Sequence, residues 1–136
     1  MAKIFTLSKS ERLKSRKQIE QLFKKGKRIA ISPFLVYYNL SQLTTHDSRL
    51  TTQFAVGVSA KNFKRAVERN RIKRLTRECY RLHKPNFSKI VRDNNQHLNV
   101  FFIYTAKQLP NYKLVYDKVG IALQKISREI EKHSTK

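Results

Sequence analysis

Residues 61–84 are KNFKRAVERNRIKRLTRECYRLHK, a stretch whose apolar residues recur with helical spacing. At about 100° per residue, one side of the helix would carry Ile72, Leu75, Cys79 and Leu82. The opposite side would carry five cations, which are Arg69, Lys73, Arg74, Arg77 and Arg81. We expect Asn62 to cap this helix and Pro85 to end it near Lys84, because proline disfavours helical geometry in the preceding residue. One face would then pack on a core, and the other would be a basic surface.

Strand-like segments lie on both sides of this helix. Residues 34–40 (FLVYYNL) and 51–59 (TTQFAVGVS) are rich in aromatic and branched side chains, and residues 27–32 can add a shorter strand. The connections between these segments are too short for crossover helices, which predicts antiparallel pairing there. Residues 86–97 are expected to be a polar linker. The continuous apolar run at 98–104 (LNVFFIY) predicts a strand buried on both faces.

Two further helices are predicted near the ends of the chain. Ser15, with Gln18 three residues later, has the spacing of a capping box, and Gly26 would end this first helix. Asn111 would cap a last helix whose apolar stripe consists of Val115, Val119, Ala122, Leu123, Ile126 and Ile130. We expect residues 1–14 to be an irregular basic arm and residues 133–136 to be a frayed tail.

The element order is therefore α-β-β-β-α-β-α. Helices that cover one side of a small sheet form an α+β two-layer sandwich. With 136 residues and 40% hydrophobic content, the chain has the size of one domain with one core, spanning residues 1–136.

The charge balance indicates an anionic partner. Lys and Arg number 30 against 9 Asp and Glu, so the formal net charge is +21. A polynucleotide fits best, because each neutralised phosphate releases condensed counterions. A membrane is the rival anion, but no apolar run approaches the roughly 20 residues that span a bilayer, and the N-terminus lacks the apolar stretch of a secretory signal. The single cysteine, Cys79, agrees with a reducing compartment, and we expect a cytoplasmic protein.

A basic helix face is often no more than solvated surface. Here the five cations have only Glu78 near them, and like charges at i, i+4 spacing, such as Lys73 and Arg77, repel each other. Arginine also offers planar forks that suit phosphate. This face therefore predicts RNA binding.

Seven residues of the helix form a specific pattern: Arg69, Asn70, Arg71, Ile72, Lys73, Arg74 and Arg77. An Arg-Asn-Arg core followed by Ile-Lys-Arg and a further Arg resembles the signature of the ribonuclease P protein family. Gly57 and Ser59 in the preceding strand and the element order extend the resemblance to roughly residues 10–132. In that family the helix lies in a left-handed strand-helix-strand crossover, which is rare among proteins, so the resemblance implies that handedness here.

The resemblance also implies two binding sites. RNA would be bound by Lys61, Arg65, Arg69, Asn70, Arg71, Lys73, Arg74, Arg77 and Arg81. The single-stranded 5′ leader of precursor tRNA would lie in a cleft between the first helix and the sheet, against Ile19, Phe23 and Tyr37. Base stacking on aromatic rings tolerates any sequence, which suits a variable leader. The chain departs from the family where Ile19 replaces a frequent aromatic residue and where Lys61-Asn62 replaces a usual Lys-Lys pair.

No residues suggest catalysis or metal binding by the protein. Metal-dependent nucleases gather carboxylates around Mg²⁺, but the one close acidic pair, Glu129 and Glu131, lies on different sides of a helix end. The four histidines are scattered, and Cys79 is expected in the core. By resemblance, the protein would be a subunit of an endoribonuclease holoenzyme, in which the partner RNA binds the Mg²⁺ and cleaves precursor tRNA. The resemblance implies no membrane partner and no small-molecule substrate.

Two other functions remain open from the sequence. A ribosomal or ribosome-assembly protein would share the size, charge and basic helix but would lack the leader cleft. A stand-alone basic nuclease would cleave RNA with Mg²⁺ and without an RNA partner.

Overall fold

The computed structural model describes residues 12–42, 52–94 and 96–134, which form three helices and four strands. The helices are α1 (Arg16–Lys25), α2 (Ala66–Asp93) and α3 (Tyr112–Ser134). The strands are β1 (Lys27–Ile31), β2 (Phe34–Gln42), β3 (Thr52–Val58) and β4 (Gln96–Tyr104). The element order matches the predicted α-β-β-β-α-β-α order of an α+β fold. Residues 1–11 of the expected arm and residues 135–136 of the expected tail lie outside the described residues.

The strands form a single sheet in the order β1-β2-β4-β3. β1 pairs with β2, and β2 pairs with β4, both in antiparallel orientation, while β3 pairs with β4 in parallel. The short connection between β2 and β3 suggested that they are neighbours. Instead β4 lies between them, because α2 returns the chain to the start of the sheet and lets β4 run parallel to β3. β2 and β3 still run in opposite directions.

The core lies on one face of the sheet, under α2 and α3. Alternate residues of β4 point into it, and Leu98, Val100, Phe102 and Tyr104 are at most 1% exposed. The predicted stripe of α3 is buried throughout, from Val115 to Ile130. The Asn111 side chain accepts from the Leu114 N–H at 2.8 Å, so the predicted cap of α3 is confirmed. α3 continues to Ser134 and includes residues that we expected to fray.

α2 is longer than its sequence suggested, because it passes through Pro85 and ends at Asp93. The prediction of a helix end at Lys84 and of a polar linker at 86–97 was wrong. Proline removes one backbone hydrogen bond from the helix. The apolar spacing nevertheless continues beyond it, and Phe87 and Val91 are 3% and 0% exposed in the core. Burial of these two side chains outweighs the local preference of proline.

The start and the packing face of α2 also differ from the predictions. The helix begins at Ala66, and Asn62 is not its cap, since its side-chain amide donates to the Thr105 carbonyl at 3.1 Å. Leu82 was expected on the packing face but is 37% exposed. The buried face instead includes Thr76 and Tyr80. The Thr76 hydroxyl donates to the Ile72 carbonyl, so its burial leaves no unpaired donor.

α1 is capped as predicted, since the Ser15 side chain accepts from the Gln18 N–H at 3.3 Å, and the helix ends before Gly26. α2 and α3 cover the core face, while α1 lies against the opposite, outer face of the sheet, where its Phe23 contacts β2 and β4. Before α1, Arg12 forms a parallel bridge with Phe54 of β3. The last residues of the expected arm are therefore attached to the sheet.

α2 and α3 approach closely at Gly120. A Cβ at this position would lie 2.9 Å from Cε1 of the His83 ring. The ring also packs on Tyr116, and its Nε2 lies 3.0 Å from the Tyr116 carbonyl oxygen. The His83 side chain therefore packs between α2 and α3 and contributes to the contact between them.

Candidate nucleic-acid interface

An aromatic cluster lies on the outer face of the sheet. Phe23 of α1 packs edge to face against Tyr37 of β2 and Phe101 of β4, with ring centroids 4.9 and 5.1 Å away. Tyr38 points to the other face and is only 3% exposed, so the two neighbouring tyrosines face opposite layers. Phe23 lies on the apolar stripe of α1, yet it remains 42% exposed and is not part of the core. The cluster therefore offers ring surface to solvent.

The strand register places a cation beside these rings. Arg28 of β1 is paired with Tyr37, which is paired with Phe101, which is paired with Ala55 of β3. Directly paired residues point to the same face of a sheet, so these four side chains form one row across the outer face. Arg28 is exposed. The outer face thus combines aromatic rings with positive charge, as a site for single-stranded nucleic acid requires.

The next row of the outer face contains two apolar side chains and a glycine. Leu35 of β2 is paired with Ile103 of β4, and Ile103 with Gly57 of β3. A Cβ on Gly57 would lie 3.0 Å from Cε1 of Phe101, so the missing side chain lets that ring lean over β3. Ile103, like Phe101, is only partly buried, which corrects the expectation that β4 is buried on both faces. Leu35 of β2 is also only partly buried. α1 covers only part of this face, so apolar side chains remain accessible beside it.

Ile19, the third residue predicted for the cleft, lies one helical turn before Phe23 on α1 and is partly buried. Ile19 and Phe23 therefore lie on the same side of the helix. Sequence reasoning missed Phe101 and Arg28. Phe101 could have been found, because alternation along 98–104 assigns it to the face opposite Val100 and Phe102. The position of Arg28 required the strand register.

The cations predicted for RNA binding lie on the exposed side and the borders of α2 or in the segment that precedes it. The exposed residues are Lys61, Arg65, Asn70, Arg71 and Arg74, and the partly buried ones are Arg69, Lys73, Arg77 and Arg81. None of them lies on the buried face formed by Ile72, Thr76, Cys79 and Tyr80. Among the residues that the structure describes, Arg74, Arg77 and Arg81 have no carboxylate partner. The helix therefore presents uncompensated positive charge.

Arg69 differs from the other cations of α2. Its Nη1 donates to the carbonyls of Phe63 and Lys64 at 2.7 and 2.9 Å. These carbonyls belong to the turn before α2, so Arg69 holds the entry to the helix in place. One of its nitrogens is thus engaged within the protein, and the rest of the guanidinium remains for a ligand.

The aromatic cluster and the basic helix are connected through the end of β3. The turn after Val58 is held by Ser59, whose carbonyl accepts from the N–H groups of Asn62 and Phe63 at 3.2 and 3.1 Å. The side chain of Ser59 accepts from the Lys61 N–H at 3.2 Å. Gly57 and Ile103 are paired at this same end of the sheet. The open part of the outer face therefore leads toward the first cations of α2.

The acidic, cysteine and histidine side chains considered for catalysis are engaged in contacts within the protein or lie outside the described residues. Glu129 forms an ion pair with Lys27 at 3.3 Å. Cys79 is buried, and burial, with a smaller effect of Glu78, raises the pKa of its thiol to about 11. His97 lies 3.1 Å from Asn99 Oδ1, whereas His46 and the His133 side chain lie outside the described residues. In the described ranges, no three His, Cys, Asp or Glu side chains are grouped as a metal would require.

Within the described ranges, no helix combines the length and the apolar character needed to cross a membrane.

Comparisons with known proteins agree with the sequence pattern. A family model described as Ribonuclease P matches residues 7–127. A ribonuclease P protein component from Porphyromonas gingivalis is 33% identical over 132 residues, covering 97% of this chain and 94% of the relative. One from Borrelia turicatae is 32% identical over 101 residues, covering 74% of this chain and 77% of the relative.

Solved structures show the same fold. The RNase P protein from Thermotoga maritima superposes with a TM-score of 0.64 at 22% identity, covering 85% of this chain and 96% of that one. The RNase P protein of Staphylococcus aureus gives a TM-score of 0.61 at 24% identity, covering 86% of this chain and 94% of that one.

Proposed function

The chain belongs to the ribonuclease P protein family, and from this we propose that it is the protein subunit of a ribonucleoprotein that removes the 5′ leader of precursor tRNA. In this assembly the partner RNA cleaves the precursor, and the protein binds both that RNA and the leader. The observation that carries the proposal is the partly exposed aromatic cluster on the outer face of the sheet, whose strand β3 leads into the cationic helix α2.

The outer face suits a single-stranded leader. Phe23, Tyr37 and Phe101 offer ring surface, and Arg28 lies in the same row to neutralise phosphate. Stacking on aromatic rings is worth about 1–3 kcal/mol per base and does not depend on base identity. Such a site can accept the leaders of many different precursors.

The exposed side of α2 suits a structured RNA. Arg71 and Arg74 are exposed, and the exposed Asn70 beside them adds an amide that can hydrogen-bond to RNA. Arginine forks bind phosphate oxygens in pairs, and release of counterions makes this binding strong at low salt. With the leader on the sheet and the catalytic RNA on α2, the protein would bridge substrate and catalyst near the cleavage site.

The Mg²⁺ that activates water would be bound by the partner RNA. The contribution of the protein is electrostatic, because its cations offset the repulsion between two polyanions. Less Mg²⁺ is then needed to bring catalytic RNA and precursor together.

Reconstitution tests this function. The protein is added to a bacterial ribonuclease P RNA, and cleavage of a precursor tRNA is measured at low Mg²⁺ concentration. We expect cleavage to be faster with the protein than with the RNA alone, and we expect no cleavage from the protein and Mg²⁺ without the RNA. A rate unchanged by the protein would contradict the proposal, and cleavage by the protein alone would favour the stand-alone nuclease.

A further inference from the structure

The segment before α1 is attached to the outer edge of β3. Arg12 forms a parallel bridge with Phe54, and the Leu13 N–H donates to the Phe54 carbonyl at 2.8 Å. Leu13 itself is 4% exposed. Successive side chains of an extended segment point to opposite sides, and bridged residues point to the same side. Arg12 therefore points to the side that Phe54 faces, which is the side of α2.

Phe54 identifies the part of α2 that Arg12 approaches. Its ring stacks on Tyr80, with centroids 4.0 Å apart and planes 9° apart. Arg77 precedes Tyr80 by about one helical turn, and Arg81 follows it directly. Burial lowers the pKa of Arg77, and repulsion from Arg12 and Arg74 lowers it further, in agreement with guanidinium groups that lie close together. Two separate segments thus bring arginines to the same place beside β3.

Within the described structure, these arginines lack partners for their charges and for one buried N–H donor. In the described part of the chain, no carboxylate pairs with Arg12, Arg77 or Arg81. The Nε atom of Arg81 is buried and has no hydrogen-bond partner there. Repelling charges and a buried donor without an acceptor both cost free energy. A bound phosphate would offset the repulsion, because its oxygens accept from several guanidinium forks at once.

We propose that Arg12, Arg77 and Arg81 form a pocket for one phosphodiester group of RNA at the outer edge of β3. Two of the cations come from α2 and the third comes from the segment before α1. A phosphate in this pocket would therefore be fixed relative to the sheet as well as to the helix. Because RNA is taken as the ligand, this inference rests on the function proposed above.

The main test compares Arg12→Ala and Arg81→Ala with Arg128→Ala, which removes the same charge from an exposed position on α3. Affinity for a bacterial ribonuclease P RNA is measured for each full-length protein over a series of salt concentrations. We expect each pocket variant to bind about tenfold more weakly and to reduce the salt slope by about one. Arg128→Ala should bind like the wild-type protein. Equal affinities of Arg12→Ala and Arg128→Ala would overturn the pocket.

Inorganic pyrophosphate tests the pocket without RNA. A ligand that binds only the folded state raises the melting temperature, so pyrophosphate should stabilise the wild-type protein and Arg128→Ala more than Arg12→Ala. Equal increases in all three proteins would overturn the pocket. Without pyrophosphate, Arg12→Ala should melt at the wild-type temperature or above it, because repulsion at Arg77 is relieved while the backbone bridge and Leu13 remain. A lower melting temperature would contradict this account of Arg12.

The outcomes separate the two proposals. If the wild-type protein does not accelerate cleavage by the catalytic RNA, the proposed function fails. If the wild-type protein does accelerate it, but Arg12→Ala and Arg81→Ala bind RNA as well as Arg128→Ala, only the pocket fails. Protection by pyrophosphate without any effect of Arg12→Ala on RNA binding would assign the pocket to a free phosphate and overturn the RNA ligand.

Discussion

The rings of Phe23 and Phe101 meet at 67°, with centroids 5.1 Å apart, so that α1 touches β4 through an aromatic edge and not through a buried core. Phe23 remains 42% exposed in this contact. An exposed ring that is held in place by two others loses little conformational freedom when a base stacks on it. This geometry favours a binding role for Phe23 over a role in the core.

Replacing Phe23 or Tyr37 with alanine should weaken binding of precursor tRNA by about 1–3 kcal/mol, the value of one base stack. Binding of mature tRNA, which has no leader, should change little. Both affinities are measured with the reconstituted holoenzyme. Tyr112→Ala, which removes a 47% exposed tyrosine from α3, is the matched control. If Phe23→Ala binds precursor and mature tRNA as the wild type does, Phe23 does not contact the leader, and the outer face loses its proposed role.

Arg74→Ala and Arg77→Ala should each weaken binding to the catalytic RNA and reduce the salt slope by about one. Glu129→Ala should do neither, because that carboxylate lies on α3 and pairs with Lys27. The measurement is a titration of labelled RNA at several salt concentrations. The same change in affinity for all three variants would count against α2 as the RNA-binding surface.

Pro85→Ala should stabilise the protein by about 1–3 kcal/mol, because it restores a helical N–H in the interior of α2 and removes a ring that crowds the preceding turn. The gain will be reduced by up to about 1 kcal/mol, since alanine also loosens the unfolded chain. Urea denaturation measures the difference. Asn86→Ala, at the next and exposed position of the same helix, should change stability by no more than about 0.5 kcal/mol. A loss of stability in Pro85→Ala would show that the proline is required for the path of α2.

Gly120→Ala should destabilise the protein by about 1 kcal/mol or more, because the new methyl group would press on the His83 ring. In a His83→Ala background the same change should be neutral or stabilising, since alanine favours a helix over glycine by up to about 1 kcal/mol. The four proteins form a double-mutant cycle that urea denaturation can measure. An effect of the same sign and size in both backgrounds would exclude His83 as the cause.

Local sequence signals predicted most of the elements. Ser15 with Gln18, and Asn111 before its apolar stripe, placed the starts of α1 and α3 correctly, because a cap depends on residues within one turn. Pro85 misled the prediction of α2 for the opposite reason. Its local preference was overruled by Phe87 and Val91, whose burial depends on a core built from distant segments.

The candidate site was predictable to the extent that it follows one element. The cations of α2 follow from helical periodicity alone, and their Arg-Asn-Arg pattern identified the family. Arg28 and Arg12 join the site only through strand pairing, and β4 is inserted between β2 and β3 by a connection that local patterns do not specify. The internal role of Arg69, which holds two carbonyls before α2, likewise depends on the turn geometry.

The central place of β4 has a consequence for how the chain acquires its structure during synthesis. Among the described segments, β2 can pair only with β1 until β4 emerges, and β3 only with the short segment at Arg12, because β4 is the other neighbour of both strands. The sheet is therefore completed only after residue 104 has left the ribosome. Until then the apolar strands and the basic helix have no complete core to pack against. We expect nascent chains that stop before Gln96 to be sensitive to proteases, and chains that extend beyond α3 to be resistant.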